Sequence, residues 1–220
     1  MVTKVEPAYP GDWLLREADD HRSRAARTFL AGDGADLTIK AGTVLGRVLF
    51  ADPVVTDVGG GKGAVGGVVL GRAAVIGTYT LTCIAAAADG GRFQVVTPSG
   101  VALADALVGV AYANDHMGFT IADAATDFEV GDTATIAVSA GSLKQVPYDQ
   151  DGTHGEQIAD AVNFALLTVP DGEDTKGLVI TGEAIVKRGG LVWPADIDPA
   201  EQDMAEADLA ARGFQFRDRG

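Results

Sequence analysis

The residues of this chain best suited to chemistry are few: Lys62 in the run GGGKGAVGG (residues 59–67), three histidines, one cysteine and some paired carboxylates. A phosphate-binding loop needs its lysine followed by Ser or Thr, whose hydroxyl holds Mg²⁺. Here Lys62 is followed by Gly63, so the run reads as a flexible connection and not as a nucleotide site. His21, His116 and His154 are scattered through polar stretches, and none has a second His or Cys at metal-ligand spacing. No Gly-x-Ser-x-Gly turn is present to expose a nucleophilic serine. The pairs Asp19-Asp20 and Glu173-Asp174 sit in polar runs where solvated charge is the usual role, and no Asp-x-Asp-x-Asp-Gly calcium spacing occurs. Cys83 lies in the alternating run Thr78-Tyr79-Thr80-Leu81-Thr82-Cys83, on the face of Tyr79 and Leu81, which marks it as a small buried hydrophobe. The expectation is therefore no catalytic residues, no cofactor, no metal, and a protein that is not an enzyme.

The elements that carry these residues read as strands. Gly, at 29 residues, is costly in helices and useful in turns, which favours many short strands. Residues 1–30 contain Pro7, Pro10 and Gly11, with Tyr9, Trp13 and Leu14 as exposed apolar anchors and a mixed-charge run from Arg16 to Arg27, which reads as a flexible arm. Alternation begins at Leu37 and continues through Thr43 to Phe50. From about Val68 to Ser139 the chain then shows its own strand rhythm at spacings of about ten residues, as in a small sandwich or barrel, and reads as an inserted domain. The strands expected there are Val68 to Leu70, Thr78 to Ile84, Arg92 to Thr97, Val108 to Val110, Gly118 to Ile121 and Thr133 to Val138. In the last, Ala134, Ile136 and Val138 share one face. Beyond Gly141, residues 158–167 fit both helical and strand periods, while Leu178 to Val186 and Leu191 to Trp193 read as strands. One helix is announced: Asp198 as cap, Pro199 first, Glu201 at capping-box spacing and Gly213 as the stop, with Met204, Ala205 and Leu209 as its packing face.

Acidic residues exceed basic ones, 31 against 17, for a net charge of -14. Such a surface repels nucleic-acid phosphates and suits a basic or neutral protein partner. A single cysteine permits no intrachain disulfide. The opening MVTKVEPAYPGDW has no apolar core of signal-peptide length, and no segment approaches 18 uninterrupted apolar residues. The expectation is a soluble protein, made without a visible export signal.

Taken in order, several segments resemble the head decoration proteins of lambda-like tailed phages. They are Tyr9-Pro10-Gly11-Asp12-Trp13-Leu14 with Ser23-Arg24, then Ala41-Gly42-Thr43-Val44-Leu45-Gly46, and later Val146-Pro147-Tyr148-Asp149. Ala184 to Trp193 with the following Pro194, and the capped helix ending at Gly213, complete the series. The middle region is similar to a module inserted in such proteins, through Gly77 to Thr82, Phe93 to Gly100, Gly118 to Ile121 and Phe128 to Asp132.

What the resemblance implies is a mainly β fold with one short C-terminal helix. It implies a β-tulip-like decoration domain (residues 31–55 and 141–220) interrupted by a small β-sandwich or barrel-like insertion (56–140), with residues 1–30 as a flexible capsid-binding arm. The implied partners are the phage major capsid protein and further copies of the chain in a homotrimer, with no direct nucleic acid and no membrane. Tyr9, Asp12, Trp13 and Leu14 would make the capsid contacts. The implied location is the outer surface of an expanded capsid, stabilised against internal DNA pressure, with synthesis in the bacterial host cytoplasm. The alternative is a β-rich host-surface or carbohydrate-binding module of a phage or bacterium. It fits the acidic, glycine-rich composition equally well but leaves the arm and terminal helix unexplained. For a hydrolase only scattered Asp and His residues speak.

Overall fold

The computed structural model describes residues 9–218, which divide into two compact units. The first comprises the chain through Val48, Leu143–Gly152 and the residues from Glu156 on; the second comprises Leu49–Ser142 with Thr153–Gly155. The first unit opens with α1 (Pro10–Trp13), β1 (Leu14–Glu17), β2 (Arg24–Phe29), β3 (Leu37–Ile39) and β4 (Val44–Arg47). The second holds β5 (Val54–Thr56), β6 (Val65–Leu70), β7 (Gly77–Ala87), β8 (Gly90–Val96), β9 (Ala106–Leu107), β10 (Ala111–Ala113), β11 (Met117–Ile121) and β12 (Thr133–Val138). The first unit resumes with β13 (Gln145–Pro147), β14 (Ala161–Asn163), β15 (Leu167–Val169), β16 (Thr175–Ile180), β17 (Ala184–Lys187), α2 (Pro199–Ala211) and β18 (Gln215–Arg217). The protein is mainly β, with one short C-terminal helix.

In the first unit β13, β2, β16, β14 and β4 close into a barrel in that order. Successive residues of a strand face opposite sides of a sheet, and here both sides are covered. Leu45, Ala161 and Val179 join Phe29, Ile39 and Val169 in one apolar cluster. Their chain neighbours Val44, Val162 and Ile180 join a second, with Trp13, Tyr148, Val186, Ala205, Leu209 and Phe214. The barrel wall is thus buried on both faces, the second cluster being shared with α2 and with the three-stranded sheet β1-β17-β18.

Helix α2 forms where its caps require. The Glu201 N–H donates to Asp198 Oδ1 and the Asp198 N–H to Glu201 Oε2, each at 2.8 Å, and Gly213 ends it at φ +88°. Ala205 and Leu209, four apart on one face, are fully buried. Met204, expected on that face, is 48% exposed, because it stands about 100° around the helix from Ala205.

The second unit has two sheets, β5-β12-β7-β8-β9 and β10-β11-β6, that share one core. Alternation supplies it: Tyr79, Leu81 and Cys83 from β7, Phe93 and Val95 from β8, Met117, Phe119 and Ile121 from β11, and Ala134, Ile136 and Val138 from β12.

Several sequence expectations are corrected. Residues 10–29, read as a flexible arm, form α1, β1 and β2, and β2 is a barrel strand; residues 1–8 lie outside the described residues. Six main-chain pairings to β16, from Arg24↔Ile180 to Phe29↔Thr175, hold β2, and only Phe29 of its side chains is buried, so no apolar period announces it. The glycine run is not a free linker: β6 begins at Val65, and a Cβ on Gly63 would collide with the Ala122 carbonyl. Residues 108–110 form a turn between β9 and β10. Residues 158–167 hold β14 and the start of β15, with no helix. The strand expected over residues 178–186 breaks at Thr181 to Glu183, where Glu183 takes φ +49°. Residues 191–193 form no strand and contribute a single bridge, Thr43↔Val192.

Candidate functional site

The four residues singled out near the N-terminus separate into outward and inward groups. Pro10, with φ already helical, starts the single turn α1. The Tyr9 N–H donates to Asp12 Oδ2 at 2.7 Å and the Asp12 N–H to the Tyr9 carbonyl at 2.9 Å, a reciprocal lock that fixes the turn. Tyr9 is 56% exposed, Asp12 is exposed and Leu14 half-buried. Trp13 is fully buried, so the sequence expectation of an exposed anchor is corrected for this residue.

Two glycines make the slot for that indole. A Cβ on Gly42, which takes φ +83°, would stand 3.1 Å from Cγ and Cδ1 of Trp13. One on Gly190 would stand 2.9 Å from the Trp13 Cα and 2.5 Å from the Asp12 carbonyl oxygen. The walls are pinned by main-chain bonds, Gly42 N–H to the Asn163 carbonyl and Val192 N–H to the Gly42 carbonyl, both at 2.9 Å. Asn163, 1% exposed, donates its side-chain amide to the carbonyls of Lys40 at 2.9 Å and Ala165 at 2.7 Å. Sequence reasoning missed Asn163: a lone Asn among apolar residues carries no periodic signal, and one of its partners, Lys40, lies 123 residues away.

Strand β1 follows directly. Its pairing with β17 slips between Leu14 and Arg16, so Leu15 is the extra residue of a bulge, 43% exposed. A bulge re-aims a side chain, and here it turns a leucine toward solvent. The other side of β1 pairs with no strand among the described residues. The next turn is braced by ions: Arg24 grips both Glu17 oxygens, at 2.7 and 2.6 Å, and its guanidinium lies 4.3 Å over the Phe164 ring. That grip holds the Glu17 carboxyl below its usual range. The Ser23 hydroxyl, almost fully buried, accepts from the Ala18 N–H and donates to the Glu183 carbonyl. Farther round the barrel Asp160, 5% exposed at its side chain, binds Arg47 at 3.0 Å, Arg212 at 2.8 Å and the Gln145 amide at 2.9 Å, tying β4 and β13 to the end of α2.

The chemically capable residues take structural partners. Lys62 binds Asp132 at 2.7 Å and Glu129 at 3.0 Å, an arrangement that raises its own pKa; Asp132 is held low by the Glu129 N–H and by Lys62. The histidines lie apart, His21 beside Glu17, His116 3.0 Å from the Tyr79 hydroxyl, and His154 2.9 Å from Asp52. Cys83 is buried, and burial pushes its thiol up. Among the described residues no three His, Cys, Asp or Glu side chains are grouped to hold a metal, and no helix is long and apolar enough to cross a membrane. An open recess of about 530 Å³ is lined by Pro147, Tyr148, Trp193 and Pro194 together with Thr43, Asp149 and Asp196.

No curated protein matches the chain. Among solved structures, the crystal structure of Xanthomonas campestris FlgL aligns at 15% identity over 54% of this chain and 33% of that one. The match spans about a third of that protein, and its TM-score of 0.24 carries no argument. The family model described as bacteriophage lambda head decoration protein D matches residues 3–214. That span takes in the α1 turn, the Trp13 slot, the barrel and α2, and the chain therefore belongs to the bacteriophage lambda head decoration protein D family, structural components of the phage capsid.

Proposed function

We propose that the protein binds the outer surface of an expanded phage capsid as a homotrimer and stabilises the shell against internal DNA pressure, without catalysis and without contacting nucleic acid or membrane. The observation that carries this reading is the construction of the N-terminal root. Trp13 is fixed in a slot, while Tyr9 and Leu15 on either side of it in the chain are left exposed, and β1, which carries Leu15, has one unpaired side among the described residues. A rigid root with solvent-facing apolar groups and an open strand edge suits strand addition, in which main-chain hydrogen bonds supply affinity and side chains set register. The contact residues in this reading are Tyr9, Asp12, Leu14 and Leu15; Trp13 serves as the anchor that orients them.

Each trimer touches several capsid subunits, so many moderate contacts add through avidity. Affinity for the expanded state alone shifts the shell toward that state. The second unit is an insertion into the decoration domain, made where β4 ends and β13 approaches. Co-sedimentation of a Tyr9→Ala/Leu15→Ser variant with expanded shells tests the root: binding at least about 10-fold weaker with an unchanged melting temperature is expected. Unchanged binding would overturn it.

A further inference from the structure

The outer face of the five-stranded sheet in the second unit carries a grid of small, mostly polar side chains. Directly opposed residues in paired antiparallel strands share a face, so the register defines a grid. One row runs Thr56, Thr135, Thr80, Val96 across β5, β12, β7 and β8. A second runs Thr133, Thr82, Gln94, and a third Val54, Ala137, Thr78. Rows are separated by roughly 6.8 Å along the strands and neighbours by roughly 4.8 Å across them. All ten side chains are exposed or half-buried, while the alternate residues fill the core.

Two properties of this face point to a ligand. None of the ten residues is charged, although acidic residues outnumber basic ones in this unit and the chain as a whole carries -14. The hydroxyls of Thr56, Thr78, Thr80, Thr82 and Thr135 make no hydrogen bond among the described residues. Each threonine offers a donor, two acceptor lone pairs and a methyl group at one point. Arg92, outward like Gln94 on β8 and paired with Asp105 at 3.5 Å, stands at the β9 edge, so the rest of the face is a regular array of free hydroxyls and methyls with no ion to desolvate.

We infer that this face binds an extended neutral polysaccharide. Such a chain repeats hydroxyl and C–H groups along its length, matching the alternation of Thr hydroxyl and methyl, and it carries no charge for the acidic surroundings to repel. An acidic polymer would meet like charge at the rim. A nucleic acid is disfavoured on the same ground. Many weak contacts along a repeating chain, multiplied over many copies, give retention without any single strong contact. This inference concerns the second unit alone and stands whether or not the protein decorates a capsid.

Affinity electrophoresis of the full chain tests it, in native gels containing mannan, dextran or a neutral β-glucan, against gels containing alginate. Retardation by at least one neutral polymer and none by alginate is expected. A Thr80→Val/Thr135→Val variant keeps β-branched shape and removes two central hydroxyls; it should lose at least about 10-fold in affinity while melting at the same temperature. A Thr135→Lys variant should lose retardation as well. No retardation by any of the three neutral polymers, or equal retardation of the valine variant, would overturn the inference. Self-association in analytical ultracentrifugation that the Thr135→Lys variant abolishes would also overturn it, by assigning the face to a second copy of the chain.

Discussion

Trp13 and Gly42 fit each other: the indole of Trp13 lies where any side chain on residue 42 would have to begin, 3.1 Å from the position of its Cβ, and Gly42 takes φ +83° to leave that space open. The two residues are 29 positions apart, yet together they join the N-terminal root to the barrel. The exposed residues Tyr9 and Leu15 inherit their positions from this contact.

Trp13→Ala is expected to cost about 3–5 kcal/mol, the usual range for emptying a buried tryptophan site. Gly42→Ala should cost about 1–3 kcal/mol, since it adds both a left-handed backbone penalty and a clash with the ring. Urea unfolding followed by circular dichroism measures both. A loss below 1 kcal/mol for Trp13→Ala would mean that the slot does not bind the root tightly.

Stability should fall in acid. Glu17 is held below its ordinary 4.5 mainly by the hydrogen bond from Arg24, Asp132 below 3.8 by the Glu129 N–H and Lys62, and Asp174 below 3.8 by Lys144. A carboxylate whose pKa is lower in the folded state adds stability above its unfolded value and loses it as the pH falls through the folded one. Urea midpoints should therefore be flat at neutral pH and decline as pH drops below about 4.5. Glu17→Gln should lower the plateau and flatten part of the decline. A midpoint that rises on acidification would contradict these pairings.

Cys83 should label slowly. The residue is 1% exposed and burial raises its thiol pKa, so both access and thiolate fraction are small. Reaction with a thiol reagent at neutral pH is expected to be at least roughly 100-fold slower than in urea, because it waits on opening of the second unit. Comparable rates in the two conditions would place the residue at an opening edge.

The second unit should be removable. The Leu143 N–H donates to the Val48 carbonyl at 2.9 Å and the Val48 N–H to the Lys144 carbonyl at 3.1 Å, so the chain ends left by excision are already paired. Replacing Leu49–Ser142 with Asn-Gly supplies the turn such a pair favours. The shortened chain should unfold cooperatively and keep the emission of Trp13 and Trp193, both in the first unit. Loss of a cooperative transition would mean that the two units share one folding core.

The parts of this fold that could be read from the sequence are those where burial is one-sided. Tyr79, Leu81 and Cys83, or Ala134, Ile136 and Val138, alternate with exposed residues because only one face of each strand meets the core. Helix α2 was legible from its caps, which act within four residues. Illegible were the parts held by distant or main-chain contacts. Strand β2 buries only Phe29 among its side chains and is fixed by backbone pairing to β16. Trp13 resembles an exposed anchor until Gly42 and Gly190 are brought beside it from elsewhere in the chain. The threonine grid was visible only as alternation in single strands, since its meaning lies in the register between them. At the candidate site Tyr9, Asp12 and Leu14 are contact candidates on the sequence resemblance alone, whereas Leu15 owes its exposure to a bulge that no local pattern marks.

Co-sedimentation of the purified protein with expanded and unexpanded shells of its cognate phage tests the central claim most directly. Saturable binding to expanded shells alone, at one copy per capsid subunit, is the result expected of a trimeric clamp on the mature lattice. Absence of binding to expanded shells, or equal binding to both forms, would contradict it.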